Sequence, residues 1–152
     1  MFPLKLIIFV ALVSIVAAGP WAQICAGNPK NAIRGCDRWG CGRYNAPRPP
    51  RLHKGVDVKC TDGSEVYAPF SGVIKQATPY PRGKNTAINN GLKIEGSGYC
   101  ALMFYFKPYK YNGRVTKGQR IGRMLRMQSV YPGMTSHVHV QLCNLSDPTR
   151  NL

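Results

Sequence analysis

The sequence predicts an all-β domain of mainly antiparallel sheets, with a short helical or irregular N-terminal wrap and three disulfides. Three observations predict it. Short runs rich in β-branched and aromatic residues succeed one another from residue 55 to residue 142, divided by Gly, Pro and other turn residues. Consecutive runs have no helical crossover between them, so neighbouring strands pair antiparallel. The chain carries 6 cysteines, an even number, behind a start that reads as secretory.

That start comes first in the chain. Lys5 is the only charge near it. An apolar run follows from Leu6 to Val16, interrupted only by Ser14, and Val16-Ala17-Ala18 offers the small residues a signal peptidase inspects. The run falls short of the ~20 residues that span a bilayer. Residues 1–18 are therefore expected to be a signal peptide, and residues 19–152 one secreted, extracellular domain without a membrane span. Hydrophobic residues make up 44% of the chain, enough for a core, and charged residues only 18%, too few for an ordinary disordered tail. With 16 Gly and 12 Pro, many turns are expected and a long helical bundle is excluded.

Residues 19–52 read as a disulfide-tied wrap. Asn28-Pro29 can cap a short helix, with Pro at its first position. Gly, Asp and Cys crowd residues 35–42, and Ala46-Pro47-Arg48-Pro49-Pro50 is extended and barred from a central strand. The core, residues 53–142, follows. Strands are expected at Gly55–Lys59, Glu65–Ala68, Gly72–Ala77, Gly91–Glu95, Ala101–Phe106, Arg120–Leu125 and His137–Leu142. The cysteines are Cys25, Cys36, Cys41, Cys60, Cys100 and Cys143. Sequence alone allows 15 pairings, and Cys36 and Cys41 are near enough to close a local loop. No CxxC pair supports a thiolate zinc site.

The histidines carry the chemistry. There are 3, at positions 53, 137 and 139. On a strand, His137, His139 and Gln141 share one face and Val138, Val140 and Leu142 the other, so the valines face the core and the histidines a cleft or solvent. His53-Lys54-Gly55-Val56-Asp57 sets an imidazole four residues from a carboxylate, and Val56 and Val58 turn Asp57 away from the core. Gly55 allows a sharp approach between the two. Two neutral imidazoles and one carboxylate suit Zn²⁺, with a fourth position left for water. Each motif alone also fits an ordinary exposed pair; together they use every histidine of the chain.

HxxxD followed much later by HxH resembles the metal signature of the lysostaphin-type zinc endopeptidases, which cut peptidoglycan cross-bridges. The segments Val66–Ile74, Asn89–Ile94 and Val115–Gly122 are similar to that fold. Gly19-Pro20-Trp21-Ala22, Ile24-Cys25-Ala26-Gly27, Val130-Tyr131-Pro132-Gly133 and the cysteine positions resemble a secreted, cytokine-like vertebrate branch of the family. The resemblance implies His53, Asp57 and His139 as zinc ligands and His137 as the vestige of a catalytic position. It also implies the pairings Cys25–Cys60, Cys36–Cys41 and Cys100–Cys143.

The active peptidases keep a further histidine in a tyrosine-x-histidine-leucine stretch. The matching stretch here is Met103-Phe104-Tyr105-Phe106-Lys107-Pro108, without a histidine, and Tyr105 takes that place. A tyrosine with a pKa near ~10 is a poor base at neutral pH, and losing a positioned acid or base costs ~10²–10⁴ in rate. The expectation is a protein that is not an enzyme, with zinc chiefly structural.

The formal charge is +15, which points to acidic extracellular partners. Arg114, Lys117, Arg120, Arg123 and Arg126 recur every three residues, Arg48, Arg51 and Lys54 form a second cluster, and Lys107 and Lys110 a third. The plain alternative is a solvated face. The functional ones are heparan sulfate or other anionic glycans, anionic bacterial envelopes, or an acidic receptor face. The secretory start argues against nucleic acid. Asn144-Leu145-Ser146 is a glycosylation sequon. The resemblance implies a neutrophil chemotactic factor acting through cell-surface receptors of receptor tyrosine kinase and C-type lectin type. The alternatives are a zinc endopeptidase or a non-catalytic antibacterial binder acting on bacterial cell wall.

Overall fold

A computed structural model of the chain describes residues 19–79 and 86–152. The expected signal peptide lies outside the described residues. The wrap contains two ribbons of two-residue strands, β1 (Cys36–Asp37) with β2 (Gly40–Cys41) and β3 (Pro47–Arg48) with β4 (Arg51–Leu52). The core strands are β5 (Val56–Lys59), β6 (Glu65–Tyr67), β7 (Gly72–Gln76), β8 (Gly91–Gly96), β9 (Tyr99–Phe104), β10 (Phe106–Pro108), β11 (Asn112–Val115), β12 (Arg120–Met124) and β13 (His137–Leu142). They form an antiparallel six-stranded sheet in the order β11-β7-β8-β9-β13-β5 and a three-stranded sheet in the order β10-β12-β6.

Register follows from which side chains must be buried. Across the large sheet Ile74 pairs with Ile94 and Ile94 with Ala101, while Leu92 pairs with Met103, Met103 with Val140, and Val140 with Val56. All are buried, and they join Val66, Phe106, Ile121 and Met124 of the small sheet in one cluster. Each such aliphatic side chain contributes about 1.5–3 kcal/mol on leaving water. A shift of one residue in β13 would send its valines outward and its histidines into this core.

Three features differ from the sequence expectation. The run Ala101–Phe106 is two strands, because Tyr105 has φ +80 and turns the chain from the large sheet to the small one. Its N–H donates to Asn90 O and its carbonyl accepts from Leu125 N, so the kink is hydrogen-bonded on both sides. No helix begins at Asn28-Pro29. The Asn28 side chain accepts from Ala32 N and donates to the carbonyls of Ala32 and Lys59, which closes a turn instead; the wrap is irregular there. β11 and a four-residue helix, α1 (Met127–Val130), were not expected. β11 is polar and glycine-bearing, and α1 is capped from afar by the Asp62 carboxylate, which accepts from Met127 N and Gln128 N.

The wrap covers the free edge of β5, which would otherwise offer unpaired backbone groups. Ile33 bridges Val58, Arg34 N donates to Asp57 O, and Asp57 N donates to Gly42 O. Disulfides join Cys25 to Cys60, Cys36 to Cys41 and Cys100 to Cys143. The first ties the wrap to the segment after β5.

Candidate metal centre

β5 and β13 build the centre. Val56 and Val58 face the core, so Asp57 faces the other side, directly opposite His139 in the ladder. His53, just before β5, brings its Nε2 to 3.1 Å from Asp57 Oδ1. A Cβ at Gly55 would lie 2.7 Å from the His139 ring and 2.5 Å from Val140 O, so only glycine lets the two ligand-bearing segments close. Asp57 is fully buried, His53 is 4% exposed and His139 9%.

Hydrogen bonds set the imidazole tautomers. His53 Nδ1 is 2.9 Å from Arg43 O, a carbonyl, so this nitrogen is the donor and Nε2 keeps its lone pair. His139 Nε2 is 2.9 Å from Gln141 Oε1, which leaves the lone pair on Nδ1. These lone pairs converge with Asp57 Oδ1. The separations His53 Nε2–His139 Nδ1, His53 Nε2–Asp57 Oδ1 and His139 Nδ1–Asp57 Oδ1 are each 3.1 Å. A tetrahedron with bonds of about 2.0 Å, as zinc makes to nitrogen and oxygen, has edges of about 3.3 Å. Three acceptor atoms at that spacing, with their protons directed elsewhere, fit a divalent cation and have no better partner among themselves. His53, Asp57 and His139 could thus hold a metal ion.

The second carboxylate oxygen faces the wrap. Arg34 Nη1 and Arg48 Nη2 each donate to Asp57 Oδ2 at 3.0 Å. Arg34 also grips Asp37 through Nε and Nη2 and donates to Gly40 O. Arg48, expected within a basic surface cluster, therefore points inward. Sequence reading missed both arginines; the available signal was that a carboxylate turned into a cleft needs countercharge.

His137 shares the cleft. Its Nδ1 donates to Thr135 O at 2.6 Å, and its Nε2 is 3.5 Å from Asp57 Oδ2. Burial pushes its pKa down to about 4, so it is neutral near pH 7. Tyr105 stands edge-on to it, with ring centroids 5.6 Å apart, and also approaches His139 at 6.3 Å. Burial pushes the Tyr105 hydroxyl up to about 12, so it stays protonated and can donate or accept a hydrogen bond without acting as a base. The two histidines of β13 are thus buried in a cleft, 3% and 9% exposed, with the Tyr105 ring against both.

Comparison with known proteins places this geometry. The model of peptidase family M23 matches residues 51–150, which contain His53, Asp57, Tyr105, His137 and His139. Leukocyte cell-derived chemotaxin-2 of Bos taurus is 54% identical over 150 residues, covering 98% of this chain and 98% of its own. The protein of the same name in Mus musculus is 52% identical over 153 residues, covering both chains completely. Among solved structures, Helicobacter pylori Csd3 superposes with a TM-score of 0.53 at 18% identity, over 86% of this chain and 32% of that one. This chain spans about a third of Csd3, and the likeness shows the fold alone. From the family match and the full-length relatives it follows that the chain belongs to peptidase family M23.

Proposed function

We propose that the chain is a secreted, zinc-binding, cytokine-like signalling protein, a neutrophil chemotactic factor acting through cell-surface receptors, on a peptidase fold that does not turn over peptides efficiently. One observation carries the reading: a half-buried, protonated Tyr105 stands edge-on to His137, in the stretch where, by the resemblance, the active peptidases have a further histidine. The names of the full-length relatives and the three disulfides support an extracellular messenger. Among the described residues no helix is long and apolar enough to cross a membrane.

In this reading His53 Nε2, His139 Nδ1 and Asp57 Oδ1 hold the zinc. Bound there, the metal supplies Lewis acidity and a cross-link between β5 and β13. Arg43 O and Gln141 fix the imidazole tautomers, and Arg34 and Arg48 aim Asp57 by donating to Oδ2. His137 Nε2 can accept one proton, whereas Tyr105 can only orient a hydrogen-bonded group. The retained His137 lone pair favours a second reading, a slow endopeptidase or a cell-wall binder.

The test is to measure zinc per chain, migration of neutrophils and cleavage of glycine-rich peptides on one preparation, beside His53→Ala and His139→Ala. One zinc per chain, lost in both variants, with chemotaxis and no cleavage supports the proposal. Zinc-dependent turnover without chemotaxis would replace it with the peptidase.

A further inference from the structure

The metal centre leaves most of the basic charge unused. Between Glu95 and Asp147 the sequence has no acidic residue, while seven lysines and arginines lie between residues 107 and 126. The fold gathers six of them at β10, β12 and the segment that joins them. Lys107 pairs with Arg123 across the small sheet, and Arg123 pairs with Glu65 on the next strand. Glu65 is the one carboxylate in this row. It accepts from the Tyr109 hydroxyl at 2.7 Å and lies 3.1 Å from Arg123 Nη2.

These contacts fix an aromatic wall. The Tyr109 hydroxyl also accepts from Arg123 Nε at 3.2 Å, so the ring is held in place although the residue is 55% exposed. Beside it runs a groove of about 280 Å³ at the seam between the sheets. Its floor is Ile74, Val115 and Ile121, and its rim is Lys110, Gln119 and Arg120. Lys110 Nζ donates to Arg114 O, which keeps the ammonium at the rim. Lys107, Lys110 and Arg120 have no carboxylate partner among the described residues.

We infer that this groove is a binding site for a sulfated glycan chain. An apolar floor with an oriented, exposed tyrosine suits the C–H face of a pyranose ring. Two rim cations with no acid to satisfy them suit the sulfates on that ring, and the Lys107–Arg123 row continues the positive track along the outer face of the small sheet. The groove is at the lower limit of small-ligand volume, wide enough for a sugar ring and too narrow for a helix. The inference presupposes the extracellular location proposed above, but its test does not depend on signalling.

The full chain, with zinc content checked, is bound to immobilised heparin and to chemically desulfated heparin, and affinity is measured as a function of NaCl. Two double variants with equal charge loss are compared: Lys110→Gln with Arg120→Gln in the groove, and Lys30→Gln with Lys59→Gln outside it. Tyr109→Ala removes the wall without changing charge. The expected result is sulfate-dependent binding that weakens at least about tenfold in the groove pair and in Tyr109→Ala. The outer pair changes affinity by no more than about twofold. Equal weakening by the two pairs, or no difference between heparin and its desulfated form, overturns the site. Equally tight binding of duplex DNA also overturns it, in favour of a general polyanion surface.

Discussion

Arg34 Nη1 reaches Asp57 Oδ2 at 3.0 Å with both side chains buried, 1% and 0% exposed. The wrap thus completes the candidate metal centre from outside the strands that carry Asp57 and His139. The wrap also contributes Arg48 to the same oxygen, at 3.0 Å, but that side chain is 37% exposed. The two arginines should therefore behave differently.

Removing one partner of a buried pair strands the other charge, which costs about 3–5 kcal/mol. Arg34→Met is expected to lower stability by that amount in chemical denaturation, because it also frees Asp37. Arg48→Met leaves Asp57 paired with Arg34 and is expected to cost about 1 kcal/mol. Equal losses in the two variants would show that the arginines share the charge instead.

Asp37 supplies a pH signature. Its carboxylate accepts from Arg34, and from Thr135 N and Trp39 N, and these outweigh burial to hold its pKa down to about 2 from 3.8. A depressed folded pKa gives stability that is fully present above 3.8 and is lost as pH falls through about 2. The native chain is expected to exceed Asp37→Asn by roughly 1 kcal/mol at neutral pH after allowance for the solvent beside it. The difference should close as pH falls through that window. A gap that is constant with pH would assign the effect to packing alone.

The candidate triad was legible in part: strand alternation turns Asp57 and both histidines of β13 off the core face, and the family resemblance implied His139 rather than His137. Alternation in β13 and the Val56–Val58 bracket orient His139 and Asp57 whatever the rest of the chain does. The arginines were not legible, because their approach depends on the wrap pairing with the β5 edge, a contact between distant segments. The break of the strand at Tyr105 was not legible for a related reason. Met103-Phe104-Tyr105-Phe106 continues a strand-like pattern, and only the positive φ at Tyr105, fixed by Asn90 and Leu125, shows that the chain changes sheets there. β11 carries too little apolar character to be read locally; its pairing with β7 is what makes it a strand.

Metal removal should loosen the sheet at the β5–β13 pair. A ligand that binds only the folded state at a thousand times its Kd contributes about 4 kcal/mol. A strong chelator at pH 7 is therefore expected to lower the melting temperature, and added zinc to restore it. An unchanged melting curve with zinc shown to be absent would leave the disulfides and core as the whole support.

Gly55→Ala tests the closure directly. Its Cβ would lie 2.7 Å from the His139 ring and 2.5 Å from the Val140 carbonyl. Overpacking of this kind costs about 1–3 kcal/mol. Because one of the crowded groups belongs to the candidate triad, zinc affinity should fall together with stability. Native zinc affinity in a destabilised Gly55→Ala chain would separate the ligand spacing from the fold.

Tyr105→His tests the proposal that the cleft lacks a second base. The position has φ +80, a region in which histidine is several-fold enriched among non-glycine residues, so the backbone should accept it. The new imidazole would stand where Tyr105 now lies, 5.6 Å from His137 between ring centroids, and could share proton transfer with it. A positioned acid–base group contributes about 10²–10⁴ in rate. The variant is therefore expected to cleave glycine-rich peptides at least about 10²-fold faster than the native chain in a zinc-dependent assay. A folded, zinc-loaded variant with no gain would mean that Tyr105 is not what limits turnover.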